Sequence, residues 1–396
     1  MVARPPRRPV WWGAAAGIEL VSDGGPATEA DLEAAGLYDP TAADAEDRLV
    51  LLDHLLGEGC TVDELVAADA AGRLVSAAAD AHLRRRQALV DAPTVAGLAG
   101  VDPTTIAPAW RSLGFPDPPP DAELWWPSDT AIFAAFDEAA AIFGAERLAQ
   151  FNRVLGRAAA QVAEAAVAMF VTDVQAALET DDRPPVELAR ANLAAQLAAD
   201  AIPEVFESAF RHHLEAAQRR LDATTFTGGR DRAVLTVGFA DLVGSTELAH
   251  RLDPAGTARL AADLERVATD TVARADGRLV KTIGDGLLFT TPDPASALSI
   301  ARDLVAWAAG DERLQGLRVG LSSGPVVWQD GDVHGPVVNL AARLCAAAVG
   351  GQVLADEGLA VAHGDADPPL SPAGEVTLRG FATSVATFTP GPTSVP

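Results

Sequence analysis

One boundary limits what this chain can fold into more than any other: the change of periodicity near residue 230. From about Gly25 to Ala201, Ala and Leu recur at three- and four-residue spacing and β-branched runs are scarce, which predicts helices and little else. After the Gly228-Gly229 pair, apolar runs of strand length begin to alternate with helical stretches. At 396 residues there is room for two or three domains, each able to bury its own core. The expected organisation is an all-helical domain over 1–201, a helical linker over 202–230, an α+β domain over 231–390 and a tail over 391–396.

The helical part offers local signals of unequal strength. Thr61 with Glu64 fits a capping box, and Ser128 after Pro127 opens a helix expected over Thr130 to Phe143. Thr94 to Gly114 has the look of a helix-turn-helix. Its second helix, Pro103 to Trp110, carries no Lys, Gln or Asn to read bases, and Pro108 is expected to kink or end it early. A packed pair of helices is the favoured reading. Arg84 to Arg86 reads as a solvated helix end. Ala158 to Leu178, broken by Glu164 and Asp173, reads as a buried helix, and no uninterrupted run of about twenty apolar residues predicts a membrane span. The segment Glu179 to Pro185 breaks the pattern. A long helix follows over Leu188 to Leu221, interrupted near Pro203 and bearing His212 and His213.

Charge and cysteines narrow the setting. A net charge of -25 argues against nonspecific binding to nucleic acid or to an anionic membrane face. A nucleotide can still bind where metal ions and local cations meet it. Arg4, Arg7 and Arg8 ahead of Val10 to Ile18 faintly resemble a signal peptide, which Glu19 cuts short. Cys60 and Cys345 are too few for a disulfide framework, so a cytoplasmic protein is expected.

In the second part, Val234 to Phe239 reads as a strand that delivers Asp241 to its end, beside Gly244, Ser245 and Thr246. Alone, this is a loop whose aspartate accepts backbone hydrogen bonds. Helices are expected over Pro254 to Ala275, Pro294 to Ala308 and Gly335 to Ala348. Strands are expected at Arg278 to Ile283 and Leu287 to Thr290, flanking the turn Gly284-Asp285-Gly286. Further strands are expected at Leu317 to Ser323, Val326 to Trp328, Gln352 to Leu354, Val376 to Arg379 and Ala386 to Phe388. The architecture is then an α+β sandwich with helices on one face of a mainly antiparallel sheet. If the two strands are neighbours, Asp241 and Asp285 converge at one sheet edge. Two carboxylates without His or Cys suit Mg²⁺ or Mn²⁺, and such a pair can hold two ions that clamp a phosphoryl group.

FADLVGST, VKTIGDG and DVHGPVVNLAARL, in this order between Ala233 and about Phe388, resemble the three signature segments of class III nucleotidyl cyclases. The resemblance implies a ferredoxin-like catalytic domain and a head-to-tail homodimer with two shared sites. It implies that Asp241 and Asp285 bind two Mg²⁺ or Mn²⁺ ions, that Lys281 and Asp332 read adenine, that Asn339 orients the ribose and that Arg343 stabilises charge on the α-phosphate. Arg379 in TLRGF matches loosely a basic residue on the terminal phosphates. Val280 and His334 depart from the aromatics usual in the family. The order of parts also resembles actinobacterial adenylyl cyclases in which an N-terminal helical domain restrains the catalytic dimer and responds to acid pH. With that in view, Leu188 to Arg230 is the expected switch and His212 and His213 its expected bias. ATP is the expected substrate, with no nucleic acid and no integral membrane association, and an unidentified ligand among the helices is left open. The competing reading is a catalytically silent nucleotide-binding regulator whose helix-turn-helix-like part binds DNA or a partner.

Overall fold

Start signals and apolar stripes lay down the first part of the chain helix by helix. The computed structural model describes residues 27–85, 89–119, 122–176, 183–227, 232–381 and 383–391. The arm up to Gly25, Arg86, most of the helix break at 179–185, the Gly228-Gly229 pair and the tail from 392 lie outside the described residues. The chain divides into two compact units, Met1–Phe206 and Glu207–Pro396.

The first unit contains α1 (Glu29–Ala34), α2 (Ala45–Gly57), α3 (Val62–Ala70), α4 (Ala77–Arg85), α5 (Ala92–Ala99), α6 (Ile106–Ser112), α7 (Thr130–Phe143), α8 (Ala145–Phe170) and α9 (Pro185–Ala199). Thr28 and Thr61 each close a capping box, the second as expected with Glu64. Leu32, Leu52, Leu55 and Leu65 form one core with Val186 and Ala189 of α9. A second core joins Val95, Ala96, Ile106 and Ala109 to Trp125 and Phe133. The helix-turn-helix-like stretch is thus built into a packed core. The expected early end at Pro108 is wrong: α6 runs on to Ser112. Pro108 is its third residue, where no N–H is needed for an intrahelical bond.

The reading of Ala158 to Leu178 as buried is also corrected. Leu148, Asn152 and Gly156 of α8 reach neighbouring helices, and beyond Gly156 no described residue of α8 is buried. Val167 and Met169 are each 63% exposed. Periodicity announces an apolar stripe but not what covers it. By length and composition, Ala145–Asp173 is the one helix among the described residues that could cross a membrane, although Arg153, Arg157 and Glu164 interrupt it.

The helix α10 (Ile202–Asp222) contains the division between the units, and none of its residues is buried. The second unit continues with β1 (Thr225–Phe226), β2 (Arg232–Leu242), α11 (Ser245–Arg251), α12 (Pro254–Arg274), β3 (Arg278–Ile283), β4 (Gly286–Thr291), α13 (Pro294–Ala309), β5 (Leu317–Gln329), β6 (Asp332–His334), α14 (Pro336–Ala347), β7 (Val353–Asp356), α15 (Glu357–His363), β8 (Leu370–Val376) and β9 (Val385–Pro390). The sheet order is β3-β4-β2-β5-β7-β9-β8, with β1 beside β2 and β6 beside β5. Only β5 and β7 pair in parallel among the described strands. From β2 to β5 the succession is β-α-β-β-α-β, the ferredoxin-like unit.

Strand period two sorts the faces of β2. Ala240 and Leu242 join Leu264, Ala268, Leu298 and Leu304 of α12 and α13. Leu235 and Val237 turn the other way, onto Val326, Val333 and Ala341 of α14. Helices therefore cover both faces, not one as expected. At Gly320 of β5 an added Cβ would lie 2.1 Å from the backbone nitrogen of Cys345 and 2.2 Å from the carbonyl of Ala341. Only glycine lets α14 seat directly on the strand. Two strand expectations are also revised. Leu317 to Gln329 is one continuous strand, and β8 meets the expected Val376 to Arg379 only at Val376.

Candidate active site

The two aspartates come to one sheet edge because their strands are in register. Asp241 lies opposite Gly286 in the β2–β4 ladder, one residue from Asp285. The Leu242 N–H donates to the Asp285 carbonyl at 3.4 Å, so the β3–β4 turn folds over the end of β2. On the other side Asp241 lies opposite Arg318 of β5. The Arg318 guanidinium donates to Asp241 Oδ2 from Nε at 3.0 Å and from Nη2 at 2.5 Å, and its Nη1 donates to the Ala346 carbonyl at 3.2 Å. A cleft of about 180 Å³ opens there, lined by Asp241, Ile283, Gly286, Arg318, Ala342 and Cys345. Burial pushes the Cys345 thiol up to about 12, with the Asp241 charge adding to the effect, so it lines the cleft as a neutral group.

A second pair forms between β3 and β6. Lys281 Nζ donates to Asp332 Oδ2, while Asp332 Oδ1 accepts from the Val333 N–H at 2.8 Å. Burial works to raise the Asp332 carboxyl, but Lys281, the Val333 N–H and His334 outweigh it and hold it below the ordinary carboxylate value. The Asp332 carboxyl is ionised at neutral pH, and the pair offers a donor and an acceptor side by side on a partly open surface.

Asn339 and Arg343 lie one turn apart on α14, which carries them past the Gly320 contact. Both are exposed, and neither makes a side-chain hydrogen bond or ion pair among the described residues. Arg379 is exposed on a turn after β8. His212 and His213 are exposed on α10, away from these groups in sequence and without a hydrogen-bonding partner among the described residues.

Residues 230–389 match the adenylate and guanylate cyclase catalytic domain. Over 271 residues the chain is 32% identical to an adenylate cyclase of Streptomyces coelicolor, covering 66% of this chain and 68% of that protein. This chain belongs to the class III adenylate cyclase family. The kinship is not confined to the catalytic part. An uncharacterised protein of Mycobacterium tuberculosis is 34% identical over 361 residues, 90% of this chain and 92% of its own length, a span that takes in most of the helical unit. A pH-sensitive adenylate cyclase of the same organism is 35% identical over 186 residues, 45% of this chain and 46% of that protein.

Class III cyclases use divalent metal ions, and the donor set here can be tested against one. Among the described residues no three His, Cys, Asp or Glu side chains cluster as a ready cage. Two aspartates carried to one sheet edge would fit a hard cation that keeps water and draws its remaining ligands from substrate phosphates. Sequence reasoning missed Arg318. A single arginine in the strand LRVGL gives no signal by itself, and its partner is 77 residues away. It also missed His82, whose Nε2 lies 3.0 Å from Asp200 Oδ2 across 118 residues, joining α4 to the residue that follows α9.

Proposed function

We propose that this cyclase converts ATP to 3′,5′-cyclic AMP and pyrophosphate in a homodimer with two shared sites. The Lys281–Asp332 pair carries the reading: an ammonium and a carboxylate held together suit a purine with an amino group and a ring nitrogen to recognise. Guanine, with a carbonyl where adenine has its amino group, would set acceptor against acceptor at Asp332. In the reaction the 3′-hydroxyl loses its proton, its oxygen bonds to the α-phosphorus, and the bond to the bridging oxygen of pyrophosphate breaks. Asn339 orients the ribose and Arg343 neutralises charge building on the α-phosphate. Asp241 and Asp285 would hold two Mg²⁺ or Mn²⁺ ions, which when bound supply Lewis-acid stabilisation of the attacking and leaving oxygens. Arg318 fixes Asp241 and adds positive charge to the cleft. Arg379 is placed on the terminal phosphates only by its loose motif match.

The uncommitted side chains of Asn339 and Arg343 support a site completed across two subunits. The test is to supply wild type with ATP or GTP and Mn²⁺ and to identify the cyclic nucleotide. Cyclic AMP from ATP, with ATP preferred, supports the reading. No cyclic AMP at acid or neutral pH favours a silent nucleotide-binding regulator. A Lys281→Glu/Asp332→Cys variant should lose the preference for ATP.

The helical unit is read as restraining the catalytic dimer in a pH-dependent way, and the kinship with a pH-sensitive cyclase supports the pH dependence. Imidazole is the side chain whose charge ordinarily changes near neutral pH. The His82–Asp200 contact is a more specific candidate for this role than exposed His212 and His213. The pH–activity profiles of wild type, His82→Gln and His212→Ala/His213→Ala decide between them. A profile unchanged by His82→Gln removes that contact from the account.

A further inference from the structure

The strand β6 is three residues long and, among the described strands, pairs only with β5. It projects Asp332 from a tight turn in which Asp330 and Gly331 both have positive φ, 53° and 76°. The three ladder pairs fix the hairpin's backbone, and a contact from outside it can further set where the Asp332 side chain sits. The strand β3, which does not pair with β5 or β6, supplies it through side chains. Its pairing with β4 slips between Leu279 and Lys281, leaving Val280 as an extra residue. With a strict period of two, Arg278 and Lys281 would point to opposite faces. The bulge returns them to the same face. From there Lys281 reaches Asp332, and Arg278 Nη2 donates to the carbonyl of Gly331, the residue just before it. Two cations three positions apart thus grip two consecutive residues of one turn. On the far side, the Phe226 ring meets Trp328 of the same hairpin edge-on, with centroids 6.3 Å apart.

We infer that Arg278 is a positioning residue for base recognition: it pins the β5–β6 turn so that Asp332 faces the purine in register with Lys281. The inference rests on the proposed adenine-reading role of that pair. Arg278 is half-buried, and burial together with the Arg220 guanidinium disfavours its charge while Asp332 favours it. It is therefore a costly group to keep there unless the turn needs it. Lysine would be a poor substitute, because an ammonium lacks the planar fork of a guanidinium.

The experiment uses the full chain with Mn²⁺ and measures kcat and KM for ATP and for GTP in wild type, Arg278→Lys and Arg278→Met. Loss of one charge-assisted hydrogen bond predicts that Arg278→Met lowers the ATP-over-GTP preference about tenfold, mainly through KM for ATP, with Arg278→Lys in between. An unchanged preference, or an equal loss of kcat with both nucleotides, overturns the inference. If Arg278→Met does not fold, Arg278→Lys decides alone: a preference equal to that of wild type refutes the positioning role. A general structural defect is separated by a double-mutant cycle. In the Lys281→Glu/Asp332→Cys background, Arg278→Lys should leave the nucleotide preference where it was, since no pair remains to position. A shift as large as in wild type counts against the inference. If wild type itself shows no preference for ATP, the adenine-reading role fails, and the inference falls with it for a reason distinct from any effect of Arg278.

Discussion

Phe289 and Phe151 are both aromatic residues in apolar patterns, one in each half of the chain. Phe289 is 0% exposed in the sheet core, and Phe151 is 54% exposed on α8. The difference belongs to the regions and not to the residues. In the second unit, strands alternate their side chains between two faces and helices lie on both, so an apolar residue at the centre of the sheet finds cover on either face. In the first unit, two separate cores gather the shorter helices, while α8 leaves Phe151, Val167 and Met169 outside both. A sheet supplies its own neighbours; a helix must be given one.

The largest effect tests that contrast directly. Phe289→Ala should destabilise the protein by about 3–5 kcal/mol, while Phe151→Ala stays within about 0.5 kcal/mol, in chemical denaturation followed by circular dichroism. A comparable loss for both would show that the α8 stripe is covered in solution. Next, Arg343→Ala should cut cyclic AMP formation by about 10²–10³-fold without moving the unfolding midpoint, because the side chain is exposed and unpaired among the described residues. Mixing it with Asp241→Ala should restore activity, since a mixed dimer keeps one intact site. No recovery would break the shared-site reading. A smaller effect is expected from Thr61→Ala, which removes the capping box of α3 and should cost about 1 kcal/mol, read as a shift of the denaturation midpoint of the helical unit alone.

The smallest expected change is none. The Asp332 carboxyl is held below its ordinary value, so its pairing with Lys281 is complete above that value and is lost only as pH falls through the lowered one. The ATP-over-GTP preference should therefore stay flat from about pH 8 to about pH 5, even if total activity varies, because ordinary aspartates titrate near 3.9. A preference that drifts in this range would place the pH response in the catalytic unit instead of the helical one.

How much could be read from the chain follows from the same contrast. Asp241 and Asp285 were legible because each ends or turns a strand with glycine beside it, and register did the rest. The bounds of α7 and the capping box at Thr61 were legible because their signals are local. Arg318 and His82 were not, since each acquires meaning only from a distant partner. The exposure of α8 was misread because periodicity reports a stripe and not its cover. The placement of α14 on the second face was missed because Gly320, in LRVGLSSG, looks like any glycine in a strand. The bulge at Val280 was invisible for a related reason: spacing alone says that Arg278 and Lys281 part company.

The contact at Gly320 has a mechanical consequence. Main chain rests on main chain there, with no side chain between to act as a bearing. The helix that bears Asn339 and Arg343 cannot slide or roll along the strand beneath it without tearing that seat. The arginine therefore travels only when the whole sheet travels.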